Sequence, residues 1–302
     1  MIYIGTHVMP WEVGEFRHQV RLHRLTMIHL EKKHLNNITL VPTLNLNDEI
    51  IDWGNSKLPK EYYIEHFKIS CKTLEDTIQV KPRIGGVTST TEALKRNIED
   101  ILTDEDYYLW MDPDISYPYT YWSTLLESFE VLQNHPGHFI ITPSTTKLWD
   151  QSWDILVNED QLSLPYGDEG WYNSKFEDYF YTDLEASLTQ TPTIKLGGGF
   201  GNLFSGKTLK LFGVPDDYIL YGGIDTYVMI GAEFLRQRNL LIQYRMQNIV
   251  TIQDFKFSDK EMYKSFTPTF LAKDDQRELN ENKNKIYQKS INTLINKLNG
   301  IL

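Results

Sequence analysis

Hydrophobic and polar positions along this chain switch between two rhythms, the two-residue repeat of a strand and the near-3.6-residue repeat of a helix. Ile2 to Met9 is a short apolar run closed by Pro10, which reads as a first strand. Phe16, Val20, Leu22, Leu25, Ile28, Leu30 and Leu35 then recur at near-helical spacing and predict one helix over Val13 to Leu35. Ile38 to Leu46 is a second strand, with Asn47-Asp48 at its end, and Ile78 to Ile84 is a third. Thr88-Ser89-Thr90-Thr91-Glu92 offers capping hydroxyls and an early acid for a helix running through Leu102. Tyr107 to Met111 is the next strand, Tyr119 to Leu132 a helix, and Phe139 to Thr142 a strand.

This alternation predicts an α/β domain with a largely parallel central sheet, in which ligands gather beyond the carboxyl ends of the strands. Residues 146 to 192 break the rhythm. They hold Trp149, Trp153, Trp171, Tyr172, Tyr179 and Tyr181 without a clean period, the pattern of a binding loop or lid. Thr193 to Leu196 resumes a strand before Gly197-Gly198-Gly199, Asp225 to Arg236 reads as helix, and Leu240 to Ile252 as one or two strands. From Ser258 the chain is more polar, and Ile286, Ile291, Leu294, Ile295 and Leu298 mark one apolar helix face with lysines opposite. We read that helix as folded back onto the domain; a dimer contact or a membrane-surface helix are the alternatives. The expected organisation is a domain over 1–257, with halves 1–116 and 117–257, followed by a helical extension over 258–302.

Composition narrows the class. The 302 residues are 41% hydrophobic and 13% aromatic, enough for a sizeable core and unlike a disordered chain. A formal charge of −11 argues against a broad phosphate-binding surface for duplex nucleic acid, although a local basic groove and a modified base as substrate stay open. Cys71 is the only cysteine, so no intrachain disulfide forms and a reducing compartment is expected. The amino terminus lacks the basic start and apolar stretch of a signal peptide. No apolar run approaches the roughly 20 residues that span a bilayer, so a cytoplasmic protein is expected.

The candidate chemistry begins where the Tyr107–Met111 run stops at Asp112-Pro113-Asp114. In extended chain, residues i and i+2 point to one side, so both carboxylates aim at one place. Pro113 has no N–H for a sheet ladder, which puts the pair at the strand's rim. Two adjacent carboxylates repel each other unless a cation lies between them, and their oxygens suit Mg²⁺ or Mn²⁺, ions that also bind substrate phosphates. A polar turn is the plainer alternative.

An Asp-x-Asp after an apolar strand resembles the metal motif of nucleotide-sugar glycosyltransferases with the GT-A fold. The order Gly197-Gly198-Gly199-Phe200-Gly201, then Phe212-Gly213-Val214-Pro215-Asp216, then Tyr221-Gly222-Gly223-Ile224-Asp225 resembles that of inverting enzymes such as the β-1,4-galactosyltransferases. Lys95-Arg96-Asn97 upstream adds a looser likeness to bacterial GT-A enzymes. The resemblance implies a Rossmann-like GT-A domain that moves a sugar from a nucleotide sugar, a UDP-sugar foremost, to a hydroxyl of a glycan or another acceptor. It further implies Mn²⁺ or Mg²⁺ on Asp112 and Asp114, Asp225 as catalytic base, and Asp254 in place of the family's usual histidine ligand. Donor contacts would come from Thr6, His7, Asp48, Arg96, Asp112, Gly198 and Gly199. Trp171, Phe200, Gly222 and Gly223 would face the acceptor. The glutamate that the family places before its base is Ile224 here.

Several of these residues have plainer readings. Asp225 is placed to cap a helix as well as to act as a base, Arg96 is equally a solvated helix charge, and His7 a structural histidine. Gly201-Asn202-Leu203-Phe204-Ser205-Gly206-Lys207-Thr208 matches the P-loop pattern, which would make the protein an NTPase or kinase using Lys207. A catalytically silent module that binds a sugar nucleotide or a glycan is the other alternative.

Overall fold

The computed structural model describes residues 1–46, 58–85, 90–134, 137–148, 188–191, 194, 196, 198–215, 224–254 and 273–301. Strand β1 (Ile2–Val8) runs parallel to both β2 (Ile38–Leu44) and β5 (Tyr107–Met111). Every residue of β2 is buried, and so is every residue of β1 except Tyr3. That is why these segments read as continuous apolar runs rather than alternating ones: helices cover both faces of a parallel sheet.

Joining β1 to β2 in parallel requires a crossover, supplied by α1 (Val13–Met27), whose Phe16, Val20 and Met27 are fully buried. The expected single helix to Leu35 is in fact two. Leu25 and Ile28 are each 64% exposed, so the apolar face does not continue, and the chain turns into a short α2 (Lys32–Leu35). The helix α3 (Lys60–Lys72) escapes a reading of the sequence alone. It buries Tyr63, Phe67, Ser70 and Cys71 against α1, where Phe67 stacks on Phe16 with ring centroids 5.1 Å apart. The third strand is likewise divided, into β3 (Gln79–Val80) and β4 (Arg83–Ile84), both on β2, because Pro82 between them has no N–H to give.

Beyond β5 the sheet reverses. Strand β9 (Phe200–Ser205), buried throughout, lies antiparallel between β5 and β7 (His138–Leu148). Strand β10 (Leu241–Asp254) then runs parallel to β7, with a register shift between Met246 and Val250. Short β6 (Ile115–Ser116) and β8 (Leu188–Gln190) add antiparallel to β10. The strand expected at 193–196 is absent at the described positions 194 and 196; the Ile194 N–H goes to the Glu233 carboxylate, at 3.0 Å, instead of to a sheet partner. The strand follows the glycines rather than preceding them.

That placement also overturns the P-loop reading. Residues 201–205 are an inner strand, not a phosphate-wrapping loop, and α6 (Gly206–Phe212) is only 7 residues long. Ser205 pairs with Tyr107, at the start of β5, so Lys207 lies at the opposite rim of the sheet from Asp112.

Two cores flank the sheet. One joins α1, α3 and α5 (Tyr121–Leu132) through Phe16, Phe67, Trp122 and Leu125. The other joins α4 (Thr90–Asp100), α6, α7 (Ile224–Arg236) and α8 (Lys273–Ile301) through Ile98, Phe212, Tyr227 and Leu294. Helix α8 therefore folds back on the domain, with Leu294 and Leu298 each 1% exposed. Among the described residues no helix is long and apolar enough to cross a membrane.

Candidate active site

Asp112 follows the last residue of β5, and its backbone is held from two sides. Its N–H donates to the Gly199 carbonyl at 2.7 Å, and its own carbonyl accepts from the Gln19 side-chain amide of α1. Gly199 has φ +72°, and a Cβ built on it would fall on the Asp112 carboxylate. The carboxylate thus occupies space that only a glycine leaves open.

The neighbouring glycine makes the second contact. A Cβ on Gly198 would lie 3.0 Å from Cβ and 3.4 Å from Oδ2 of Asp225. Two consecutive glycines therefore touch Asp112 and Asp225, one each, and bring together residues far apart in sequence. Asp225 is the second residue of α7, where the helix dipole favours the anion, and its Oδ1 accepts the Thr226 N–H at 2.8 Å.

Electrostatics reflect the convergence. Burial, then the charges of Asp114 and Asp225, push the Asp112 carboxyl up to about 7, against a hydrogen bond from Trp110 that favours the anion. Asp114 is 6% exposed. Asp114 and Asp225 both act on Asp112, and a carboxylate pair such as Asp112 and Asp114 offers hard oxygen donors of the kind that suit Mg²⁺ or Mn²⁺. Among the described residues no group of three or more His, Cys, Asp or Glu is placed to hold a metal ion. Two carboxylates with the remaining positions left to water and phosphate is the usual way Mg²⁺ is held. The backbone of β10 reaches the same rim: Gln253 pairs with Ile115, which carries residue 254 alongside residue 114. The side chain of Asp254 lies outside the described set.

Thr6 and His7 sit at the carboxyl end of β1, both buried. Burial pushes His7 down to about 4, so it is neutral near pH 7. Its Nε2 lies 3.4 Å from the Asn45 amide. Arg96, partly exposed on α4, pairs with Glu92 one turn earlier at 2.6 Å, as a solvated helix charge does, and Glu92 in turn acts electrostatically on His7. Phe200 departs from expectation: its ring is 2% exposed within the core, so it packs rather than offering a sugar platform. Asp48, Trp171, Gly222 and Gly223 lie outside the described residues.

The sequence reading missed the supports beneath this rim. Glu15, Gln19 and His23 recur every fourth residue on the buried face of α1. Gln19 holds Asp112, while the Tyr117 hydroxyl bonds His23 Nδ1 and accepts from the Trp122 indole N–H at 3.2 Å. The turn after β5 is thereby tied to α1 at both ends. The signal is present in the sequence, as a polar stripe at helical spacing on a face that should be apolar.

No protein-family model matches the sequence, and a search among curated proteins finds no match. Solved structures similar to this chain include a segment of S. aureus TarS in complex with UDP, at 7% identity and a TM-score of 0.49, over 91% of this chain and 68% of that one. A second S. aureus TarS structure matches at 8% identity and a TM-score of 0.46, over 81% of this chain and 59% of that one. GalNAc-T7 with UDP, GalNAc and Mn²⁺ matches at 10% identity and a TM-score of 0.45, over 84% of this chain. The chain spans 43% of the GalNAc-T7 chain and 36% of a further TarS chain.

Proposed function

We propose that this protein is a metal-dependent glycosyltransferase that moves a sugar from a nucleotide-sugar donor, a UDP-sugar foremost, to an acceptor hydroxyl with inversion at the anomeric carbon. The observation that carries the reading is the glycine pair Gly198-Gly199, which seats the Asp112 carboxylate against one glycine and Asp225 against the next. A site built this way has a cation-binding pole and a proton-accepting pole side by side.

Asp112 and Asp114 would hold Mn²⁺ or Mg²⁺, with Asp254 as a further oxygen ligand. When bound, such an ion supplies Lewis-acid stabilisation of the charge that grows on a departing diphosphate. The remaining work belongs to side chains and backbone. Asp225, at a helix start where the dipole favours a carboxylate, accepts the proton of the acceptor hydroxyl as that oxygen attacks the sugar. Gly198 and Gly199 leave the room that the two carboxylates need to sit against the same turn. Thr6, His7, Asp48 and Arg96 would line the donor nucleotide, with His7 neutral and so a hydrogen-bonding group rather than a cation. Trp171, Gly222 and Gly223 would face the acceptor.

Nucleotide release from a panel of UDP-, GDP-, CMP- and dTDP-sugars, with and without Mn²⁺, tests the reading. Turnover of at least one donor that needs the ion and is lost in Asp112→Asn and Asp225→Asn is expected. A chain that turns over no donor, or one indifferent to both substitutions, overturns it. Anomeric NMR of the product separates inversion from retention.

A further inference from the structure

Helix α8 lies beside α7 with both chains running in the same direction, and two contacts set their register. A Cβ at Gly231 would come within 3.1 Å of Leu294 Cδ2, and in the turn just past the end of α7 Arg238 Nη2 lies 3.4 Å from Asn299 Oδ1 near the end of α8. About two turns earlier on each helix stand Asp225 and Tyr287. Tyr287 is partly buried and packs against the core cluster that contains Ile224 and Tyr227. Burial and then the Asp225 carboxylate hold its phenol above the ordinary range, in agreement with that register.

We propose that the C-terminal helix forms the acceptor-side wall of the site, with Tyr287 as a binding residue for a hydroxyl of an acceptor sugar. The assignment rests on Asp225 acting as the base. A tyrosine suits this position because its ring face covers the C–H surface of a pyranose while its O–H donates to, or accepts from, a sugar hydroxyl. Held at the level of Asp225, the phenol grips the acceptor beside the hydroxyl that reacts. Neighbouring Ile286 and Ile291 are aliphatic and have no such polar atom. Acceptor choice would then be set by a helix that belongs to neither half of the sheet domain.

Two measurements on the chain of residues 1–302 test this. With fluorotyrosine placed at position 287, the fluorine NMR resonance shifts on Asp225→Asn and on titration with methyl glucoside, methyl galactoside or methyl N-acetylglucosaminide in the presence of UDP and Mn²⁺. In steady-state kinetics Tyr287→Phe raises the KM for the best of those hexosides roughly tenfold, the factor one hydrogen bond supplies, and leaves donor KM in place. Leu298→Ala, on the same helix but away from Asp225, lowers the melting temperature and keeps the acceptor KM, which separates binding from helix packing. A fluorine signal indifferent to Asp225→Asn and to every hexoside, or an unchanged acceptor KM in an active Tyr287→Phe enzyme, overturns the assignment alone. A wild-type chain that releases nucleotide from no donor overturns the transfer reading and this assignment with it.

Discussion

Replacing Gly199 by alanine addresses the centre of the site with a single methyl group. The residue has φ +72°, a conformation that costs an L-residue about 1–2 kcal/mol. The new Cβ would also overlap the Asp112 carboxylate, so either the acid swings away or the glycine bridge shifts. A shifted bridge weakens the 2.7 Å bond from the Asp112 N–H to the Gly199 carbonyl, worth about 1 kcal/mol. Together these give an expected loss of about 2–3 kcal/mol in urea unfolding. Transfer should fall further than stability does, because misplacing a reacting group by about 1 Å can cost on the order of a hundredfold. Gly198→Ala is the comparison: Gly198 is not among the glycines with positive φ, and its new Cβ meets Asp225 at a tight but less severe 3.0 Å. It should unfold closer to wild type and still be impaired in transfer. A Gly199→Ala protein within about 0.5 kcal/mol of wild type and fully active would refute the bridge as the organiser of the site.

Other expectations concern the frame. Glu233 accepts from Arg236 at 2.7 and 2.6 Å, from the Ile194 N–H and from Gln237, and these bonds, the arginine's foremost, hold its carboxyl down to about 2. A depressed folded pKa stabilises above the unfolded value and is lost as pH falls from about 4.5 toward 2. Glu233→Gln should therefore cost about 1–2 kcal/mol near neutrality after solvent screening, and flatten the acid limb of a stability–pH curve; an unchanged limb would argue against the clamp. Gly14→Ala, in the first turn of α1 where an added Cβ meets nothing within 4 Å, should raise stability by about 0.4–1 kcal/mol in the same unfolding assay, chiefly by restricting the unfolded chain. Cys71 is 1% exposed and burial pushes its thiol up to about 12, so Ellman's reagent should label it only as the chain opens. Complete labelling of the native protein within seconds would contradict that burial.

The elements legible in the sequence are those whose own residues carry the whole signal. Strand β5 announces itself by an apolar run, and Pro113 marks its end, so the residue pattern alone places the Asp112–Asp114 rim. Helix α7 is equally plain. Strand β9 is not, because its register is set by partners far away and its first residues carry glycines that look like a loop. Helix α3 hides because its buried face includes Ser70 and Cys71, which dilute the apolar period. On α1 the polar residues Gln19 and His23 share the buried face with Phe16 and Val20, and nothing local in the sequence names the partners, Asp112 and Tyr117, that they meet. Motif order suggests that Asp112 and Asp225 share a site, and the geometry that joins them through Gly198 and Gly199 emerges only once β9 is inserted.

That insertion has a consequence for how the molecule is made. Strand β9 pairs with β5 across about a hundred residues of chain, a long and therefore slow loop closure. Until the ribosome has delivered residues 200–205, β5 ends the growing sheet with an open edge of apolar residues, Tyr107 to Met111. An exposed edge of that kind invites pairing with other chains. The nascent amino-terminal half is thus the stage most in need of a chaperone, and chains truncated before β9 should aggregate. Asp225 follows that strand in sequence, so it can meet Asp112 only in a chain whose edge is already sealed.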